Sequence, residues 1–223
     1  MRATISLNNS GAEMLRRLAR REYLTLVLVR HGQGGNRETR PELSGYRLSP
    51  TGRRQADRVG KRLAPLPFSH IYASDMARAH ETAEAVRRGH PDVPFSSMPE
   101  LREISGFQVP GTAPARTAEH RARLHVERAR VARFADRLHR RHRPGEWVAI
   151  VAHNGFNGML LATLARIPSR QSFRWHTGHT GVTLASLTWS RPPVVLRTVG
   201  CLRHLPPSLI THDNLPRPQP ISD

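Results

Sequence analysis

The chain has 223 residues, 38% of them hydrophobic, which suffices for one sizeable core and makes a single α/β domain the simplest count. Its one cysteine, Cys201, excludes an intrachain disulfide and favours a reducing, cytoplasmic setting, and no apolar run is long enough for a transmembrane helix. The formal net charge of +18 invites a polyanion partner, but Lys61 is the only lysine and acidic residues are few, so arginine usage accounts for the surplus as well as a dedicated patch does.

Residues 1–23 predict a helical extension, with Ser10 as N-cap and Glu13 three residues on. The Arg16-Arg17 and Arg20-Arg21 pairs faintly suggest a twin-arginine or transit signal. Glu13, Glu22 and the strand that follows at once favour a local helix instead, and the apolar region of a secretory signal is missing. Leu24 to Val29 is an apolar, β-branched run ending in Arg30-His31-Gly32, the pattern of a buried parallel strand. Gly32 to Tyr46 is polar and Gly-rich and reads as a loop. Ser49-Pro50 opens a helix to about Leu63, with Ser49 as cap and Ala56, Val59, Gly60 and Leu63 on one face. Pro65 and Pro67 end it. Ser69 to Ala73 is a second strand ending in Ser74, followed by a helix from about Met76 to Arg88.

Phe95 to Met98 is a short third strand, and 104–115 is a Gly-, Pro- and Ala-rich loop. Residues 116–142 form the longest helix, with Leu124, Val131, Phe134 and Leu138 at helical spacing and arginines over the remainder. Trp147 to Ala152 is a buried strand running into His153-Asn154-Gly155, followed by a helix over 154–166 and strands near 182–189 and 194–199. Prolines 206, 207, 216, 218 and 220 predict an irregular tail. The expected organisation is an N-terminal extension (1–23), one domain (24–205) and a Pro-rich tail (206–223). Strands alternating with helices predict a three-layer α/β/α sandwich around a mostly parallel central sheet.

In open α/β sheets ligands bind outside the carboxyl ends of the strands. Three strand ends carry polar groups: Arg30-His31-Gly32, Ser74 with Arg78 one turn into the next helix, and His153-Asn154-Gly155. Glu103 adds a carboxylate at the start of a loop. Two arginines, two histidines and a carboxylate suit phosphoryl transfer. Guanidinium forks match phosphate oxygens, a neutral imidazole can act as nucleophile, and a carboxylic acid can protonate a leaving oxygen.

Five elements in order resemble the histidine phosphatase superfamily, also called phosphoglycerate mutase-like. They are Arg30-His31-Gly32, Leu48 to Ala56, Tyr72 to Ala83, Leu101-Arg102-Glu103 and Val151 to Gly155, and the resemblance covers roughly residues 24–200. It implies that His31 is the phosphorylated nucleophile, with its other ring nitrogen held by a backbone carbonyl. It implies that Arg30 and Arg78 bind phosphoryl oxygens, that His153 is the second pocket histidine and donates to the transferring group, and that Glu103 protonates the leaving group. No metal and no other cofactor is implied.

The sequence departs from the pattern after Arg-His-Gly. Many members carry Asn six positions past the histidine, whereas here Asn36 comes one place early and Arg37 stands at that position. Both are candidate phosphate-binding residues, and Arg37 either supplies a third cation or faces solvent. The segment after Glu103 lacks the Trp-rich stretch of glycolytic mutases, and the insertion before the second histidine is short, which favours a phosphatase. Glu100 competes with Glu103 as the acid, and Glu103 is preferred. Asp75 is expected to cap the helix after it. His70, His90, His120, His125, His139 and His142 follow no metal-ligand spacing and are expected at the surface.

Helix 116–142 reads as a solvated face, or as a surface for a polyanion: nucleic acid, acidic lipid or a phosphorylated protein. Sparse aromatics argue against stacking on single-stranded bases. The expected function is a metal-independent phosphomonoesterase acting on a phosphorylated small molecule or protein. The alternatives are a phosphoglycerate-type mutase, and a non-catalytic basic module that binds nucleic acid or another polyanion.

Overall fold

The computed structural model describes residues 23–39, 45–104, 118–167, 176–188 and 194–212, the side chains of 36–39, 120 and 121 aside. The expected helix near 10–22, the loop beyond 104 and the tail beyond 212 lie outside the described residues. In chain order the elements are β1 (Leu24–Arg30), β2 (Gly34–Thr39), β3 (Tyr46–Leu48), α1 (Pro50–Leu63), β4 (Phe68–Ser74), α2 (Ala77–Arg87), β5 (Phe95–Met98), α3 (Ala118–Arg141), β6 (Trp147–Ala152), α4 (Asn154–Ala165), β7 (Val182–Leu187) and β8 (Val194–Cys201).

The central sheet has the order β5-β4-β6-β1-β7-β8. Strands β5, β4, β6 and β1 pair in parallel, while β7 runs antiparallel to both β1 and β8. Every residue of β1 is buried, and successive side chains point to opposite faces of a strand. Leu24, Leu26 and Leu28 therefore pack with Val131, Phe134 and Leu138 of α3 and Phe156 and Leu160 of α4. Val27 and Val29 pack with Val59 and Leu63 of α1 and Val86 of α2. These are the two outer layers of the predicted sandwich.

Helix α1 begins as its sequence predicts. Ser49 Oγ accepts from the Gly52 amide at 2.9 Å, and Pro50 occupies the first turn. Its contact with α2 is close enough to require glycine, since a Cβ on Gly60 would lie 2.4 Å from the Ala85 carbonyl oxygen.

Several local expectations give way to tertiary ties. The segment 32–46 is not all loop, because β2 and β3 pair as a small antiparallel ribbon. Glu81 of α2 pins β3, accepting from Arg47 Nε at 2.6 Å and the Leu48 amide at 3.0 Å. Asp75 does not cap α2. It takes a two-pronged contact from Arg102 at 2.7 and 2.6 Å, and Ser74 Oγ accepts from the Met76 amide instead.

The tail does not become irregular at 206. Pro207–Leu209 is a 3-10 turn with Leu209 buried, and the Leu209 carbonyl accepts from Gln55 Nε2 at 2.7 Å. His70, His90 and His142 are buried, contrary to the surface expectation. His70 stacks on Tyr72 with 4.1 Å between ring centroids. The Tyr72 hydroxyl meets His142 Nε2 at 3.0 Å, and His142 Nδ1 meets Glu146 at 2.7 Å. This polar chain fastens the end of α3 to the sheet, and His90 serves similarly with its Nε2 3.2 Å from the Leu63 carbonyl. His125 is exposed and His139 is half-buried.

Phe134 is fully buried and meets Tyr72 and Phe156 edge-on, with centroid separations of 5.4 and 5.8 Å. Phe134→Ala is expected to cost about 3–5 kcal/mol of stability, measured as a fall in the urea midpoint at an unchanged denaturant slope.

Candidate active site

Strand order brings the chemistry to one edge. Ser74 ends β4, His153 follows β6, and Arg30 ends β1 with His31 after it; β6 lies between the other two. The register aligns Ala73 with Val151 and Ala152 with Arg30. The His31 amide then donates to the Ala152 carbonyl at 2.9 Å, so the two histidines leave the sheet side by side. Their ring centroids are 5.0 Å apart.

Hydrogen bonds fix the tautomers. His31 Nδ1 lies 2.7 Å from its acceptor, the Gly32 carbonyl, so Nδ1 carries the proton and Nε2 keeps its lone pair. Arg78 Nε donates to that Nε2 at 3.1 Å, and Arg78 Nη2 lies 3.2 Å from His153 Nδ1. A guanidinium only donates, so both imidazole nitrogens are acceptors. His153 Nε2 then donates to Ser74 Oγ at 3.0 Å. Burial pushes both imidazoles well below the ordinary histidine range. The charge of Arg78 adds to this at each ring, as does Arg30, with the neighbouring His153 contributing at His31.

The loop after His31 is held tightly. The Gly32 amide donates to Thr82 Oγ1 at 3.0 Å, and that hydroxyl donates to the Arg78 carbonyl at 2.7 Å. Loop and arginine are thereby joined through one turn of α2. A Cβ on Gly52 would lie 2.0 Å from the Gln33 carbonyl oxygen, so the start of α1 presses directly on this loop. Tyr46 of β3 lies against the Arg78 guanidinium, 4.4 Å from ring centroid to Cζ.

Glu103 sits at the head of α4. Its carboxylate accepts from the amides of Ile104, Phe156 and Gly155 at 2.8, 3.1 and 3.3 Å. Burial nonetheless raises its carboxyl above the ordinary range, against the pull of those amides and of the Arg78 charge. Arg130 of α3 steadies this loop by donating to the carbonyls of Glu100 and Arg102 at 2.6 and 2.9 Å. Glu100 points elsewhere, pairing with Arg137 at 2.7 Å. Asn36 and Arg37 lie on β2, and their side chains are outside the described residues.

One histidine escaped the sequence reading. His179 is buried, with its ring 5.8 Å from that of His31 and its Nε2 3.3 Å from Arg30 Nη2. Because β7 is antiparallel, its beginning lies at the same edge as the ends of β1 and β6. A histidine flanked by Gly178 and Gly181 ahead of an apolar strand was the available signal.

The fold and site define an α/β protein that gathers an arginine and two neutral imidazoles at the carboxyl ends of its parallel strands. The chain belongs to the histidine phosphatase superfamily (branch 1), whose profile matches residues 26–199. It is 29% identical over 198 residues to the serine/threonine-protein phosphatase Pgam5, mitochondrial, of Caenorhabditis elegans, covering 83% of this chain and 66% of that protein. Among solved structures it resembles Bacillus stearothermophilus YhfR, with TM-score 0.59 and 26% identity over 81% of this chain and 98% of that one. It shares its fold with a mycobacterial glucosyl-3-phosphoglycerate phosphatase, with TM-score 0.61 and 23% identity over 80% of this chain and 99% of the other. No described helix is long and apolar enough to cross a membrane.

Side-chain NMR tests the assigned protonation states. The His31 and His153 rings are expected to stay neutral as pH falls through about 6.5, where an ordinary imidazole titrates. Titration of either ring near that value contradicts the assignment.

Proposed function

We propose that this protein is a metal-independent phosphomonoester hydrolase working through a phosphohistidine on His31. The observation that carries the reading is the lone pair of His31 Nε2, kept unprotonated by the Gly32 carbonyl on the far nitrogen and faced by the Arg78 guanidinium. In the first step Nε2 attacks phosphorus and the P–O ester bond breaks, while Arg30 and Arg78 take up charge on the phosphoryl oxygens. The leaving oxygen takes its proton from the Glu103 carboxyl, which burial favours in the acid form. Water then attacks phosphorus and gives a proton to the Glu103 carboxylate. The P–N bond breaks, releasing phosphate and restoring neutral His31. The two guanidinium groups supply the positive charge that a metal supplies in other phosphotransferases.

His153 begins this cycle aligning Arg78 through Nδ1 and donating through Nε2 to Ser74. Donation to a phosphoryl oxygen requires a proton on Nδ1, and a bound dianion raises the affinity for one. The relative named as a serine/threonine-protein phosphatase makes phosphoproteins the first substrate class to screen beside small phosphate esters. The cytoplasmic setting rests on the single cysteine. A compatible second reading adds an acidic partner on α3, where Arg123, Arg128, Arg133 and Arg140 are exposed while Arg130 and Arg137 are tied to Glu127 and Glu100.

Phosphate release from nitrophenyl phosphate is expected to be unaffected by excess EDTA and to fall to background in His31→Ala. Chelator-sensitive turnover that survives the mutation contradicts the mechanism. Glu103→Gln is expected to lower kcat on a simple alkyl phosphate by about 10²–10⁴ and much less on nitrophenyl phosphate, whose leaving oxygen needs no proton. Because the acid works protonated, the alkyl-phosphate rate falls as pH rises through the raised Glu103 value, and this limb disappears in the variant. Equal losses on both esters reduce Glu103 to a cap for α4.

A further inference from the structure

The chain after β8 returns to the site from behind, and its contacts converge on one histidine. The His179 amide donates to the Thr211 carbonyl at 3.0 Å, and His179 Nδ1 lies 2.9 Å from Thr211 Oγ1. Thr211 Oγ1 also accepts from Gln55 Nε2 at 2.8 Å, and Gln55 Oε1 accepts from the Gln33 amide at 2.8 Å, two residues after the nucleophile. A side chain on Gly178 would lie 3.0 Å from His212 Cε1 and 2.9 Å from Leu202 Cδ1, so a glycine lets this strap lie flat.

The far side of the ring faces Arg30. Since the guanidinium can only donate, His179 Nε2 is the acceptor of the 3.3 Å contact and the ring proton sits on Nδ1, toward Thr211. Arg30 also donates to the Thr177 carbonyl at 2.5 Å. The segment that carries His179 grips the end of β1 as well. The Arg30 amide donates to the Gly181 carbonyl at 3.2 Å, and the Thr180 amide donates to the His31 carbonyl at 3.2 Å. Thr180 adopts φ 57°, a costly conformation for a β-branched residue, and its hydroxyl is anchored on the His179 carbonyl at 2.7 Å.

We propose that His179 is a positioning residue that aligns the Arg30 guanidinium for the phosphoryl oxygens, and that the strap over 207–212 holds it in the tautomer able to do so. The proposal rests on the phosphatase reading for its purpose, while its geometry concerns anion binding alone. Thr211 and Gln55 take part through their hydrogen bonds to His179 and to the Gln33 amide. The strap is on this account a working part of the site.

The test is calorimetric binding of orthovanadate, with KM and kcat on nitrophenyl phosphate in parallel. His179→Leu is expected to weaken vanadate by about tenfold, the scale of one hydrogen bond to a charged group, and to raise KM more than it lowers kcat. His179→Gln is expected to recover most of the loss, because its amide oxygen can accept from Arg30. Thr211→Val shifts affinity in the same direction by a smaller factor. In an Arg30→Lys background His179→Leu adds nothing, since the partner it aligns is gone. Unchanged vanadate affinity in folded His179→Leu overturns the proposal, as does its full effect in the Arg30→Lys background, which makes the ring a direct ligand. Should His179→Leu fail to fold, unchanged affinity in His179→Phe, which keeps a ring but offers no acceptor, overturns it equally. A wild-type protein that binds vanadate yet turns over no phosphomonoester contradicts the phosphatase reading, and the vanadate series still decides the role of His179.

Discussion

A single guanidinium, that of Arg78, reaches two buried imidazoles, and the rest of the site is arranged around that contact. Arginine has donors and no acceptor, so His31 and His153 must each offer it a lone pair. Protonating either ring would place a second positive charge against the first in a desolvated pocket. The same contact holds the His31 Nε2 lone pair on the side of the ring that faces the guanidinium. Thr82 and Tyr46 brace the arginine from its own helix and from β3, so its position is set by the fold before any ligand arrives.

The sheet makes this arrangement possible. Parallel strands deliver their carboxyl ends to one edge, and the order β4-β6-β1 places Ser74, His153 and His31 in neighbouring positions there. The antiparallel strand β7 contributes from the other direction, bringing the residues before it to the same edge. Burial of β1 on both faces packs it between α1 on one side and α3 on the other. Glu103 is tied to the head of α4, the helix that follows His153, which links the two residues through the first turn of that helix.

Much of this was legible in the sequence because the signals are local. Apolar runs ending in Arg30-His31-Gly32 and His153-Asn154-Gly155 announce buried strands with chemistry at their ends, and Ser49-Pro50 announces a capped helix. What escaped the sequence depends on distant partners. Tyr46 to Leu48 became a strand through Glu81, some thirty positions on, and Asp75 left its local amide for Arg102. His142 looked like one more surface histidine until Tyr72 and Glu146 closed around it. His179 carries no strand-end signal, because the antiparallel β7 presents its beginning at this edge. The strap over 207–212 looked irregular from its prolines, yet Gln55 and His179 give its backbone polar groups partners.

On the proposed mechanism His31 carries the phosphoryl group during turnover. Rapid quenching of the enzyme with a phosphomonoester, followed by peptide mass spectrometry under alkaline handling, tests it directly. A single phosphoryl group on residue 31, acid-labile and base-stable, and absent from His31→Ala, is the predicted result. Turnover with no trapped phosphoryl group under conditions where its breakdown is slowed, or with the group on another residue, contradicts the account.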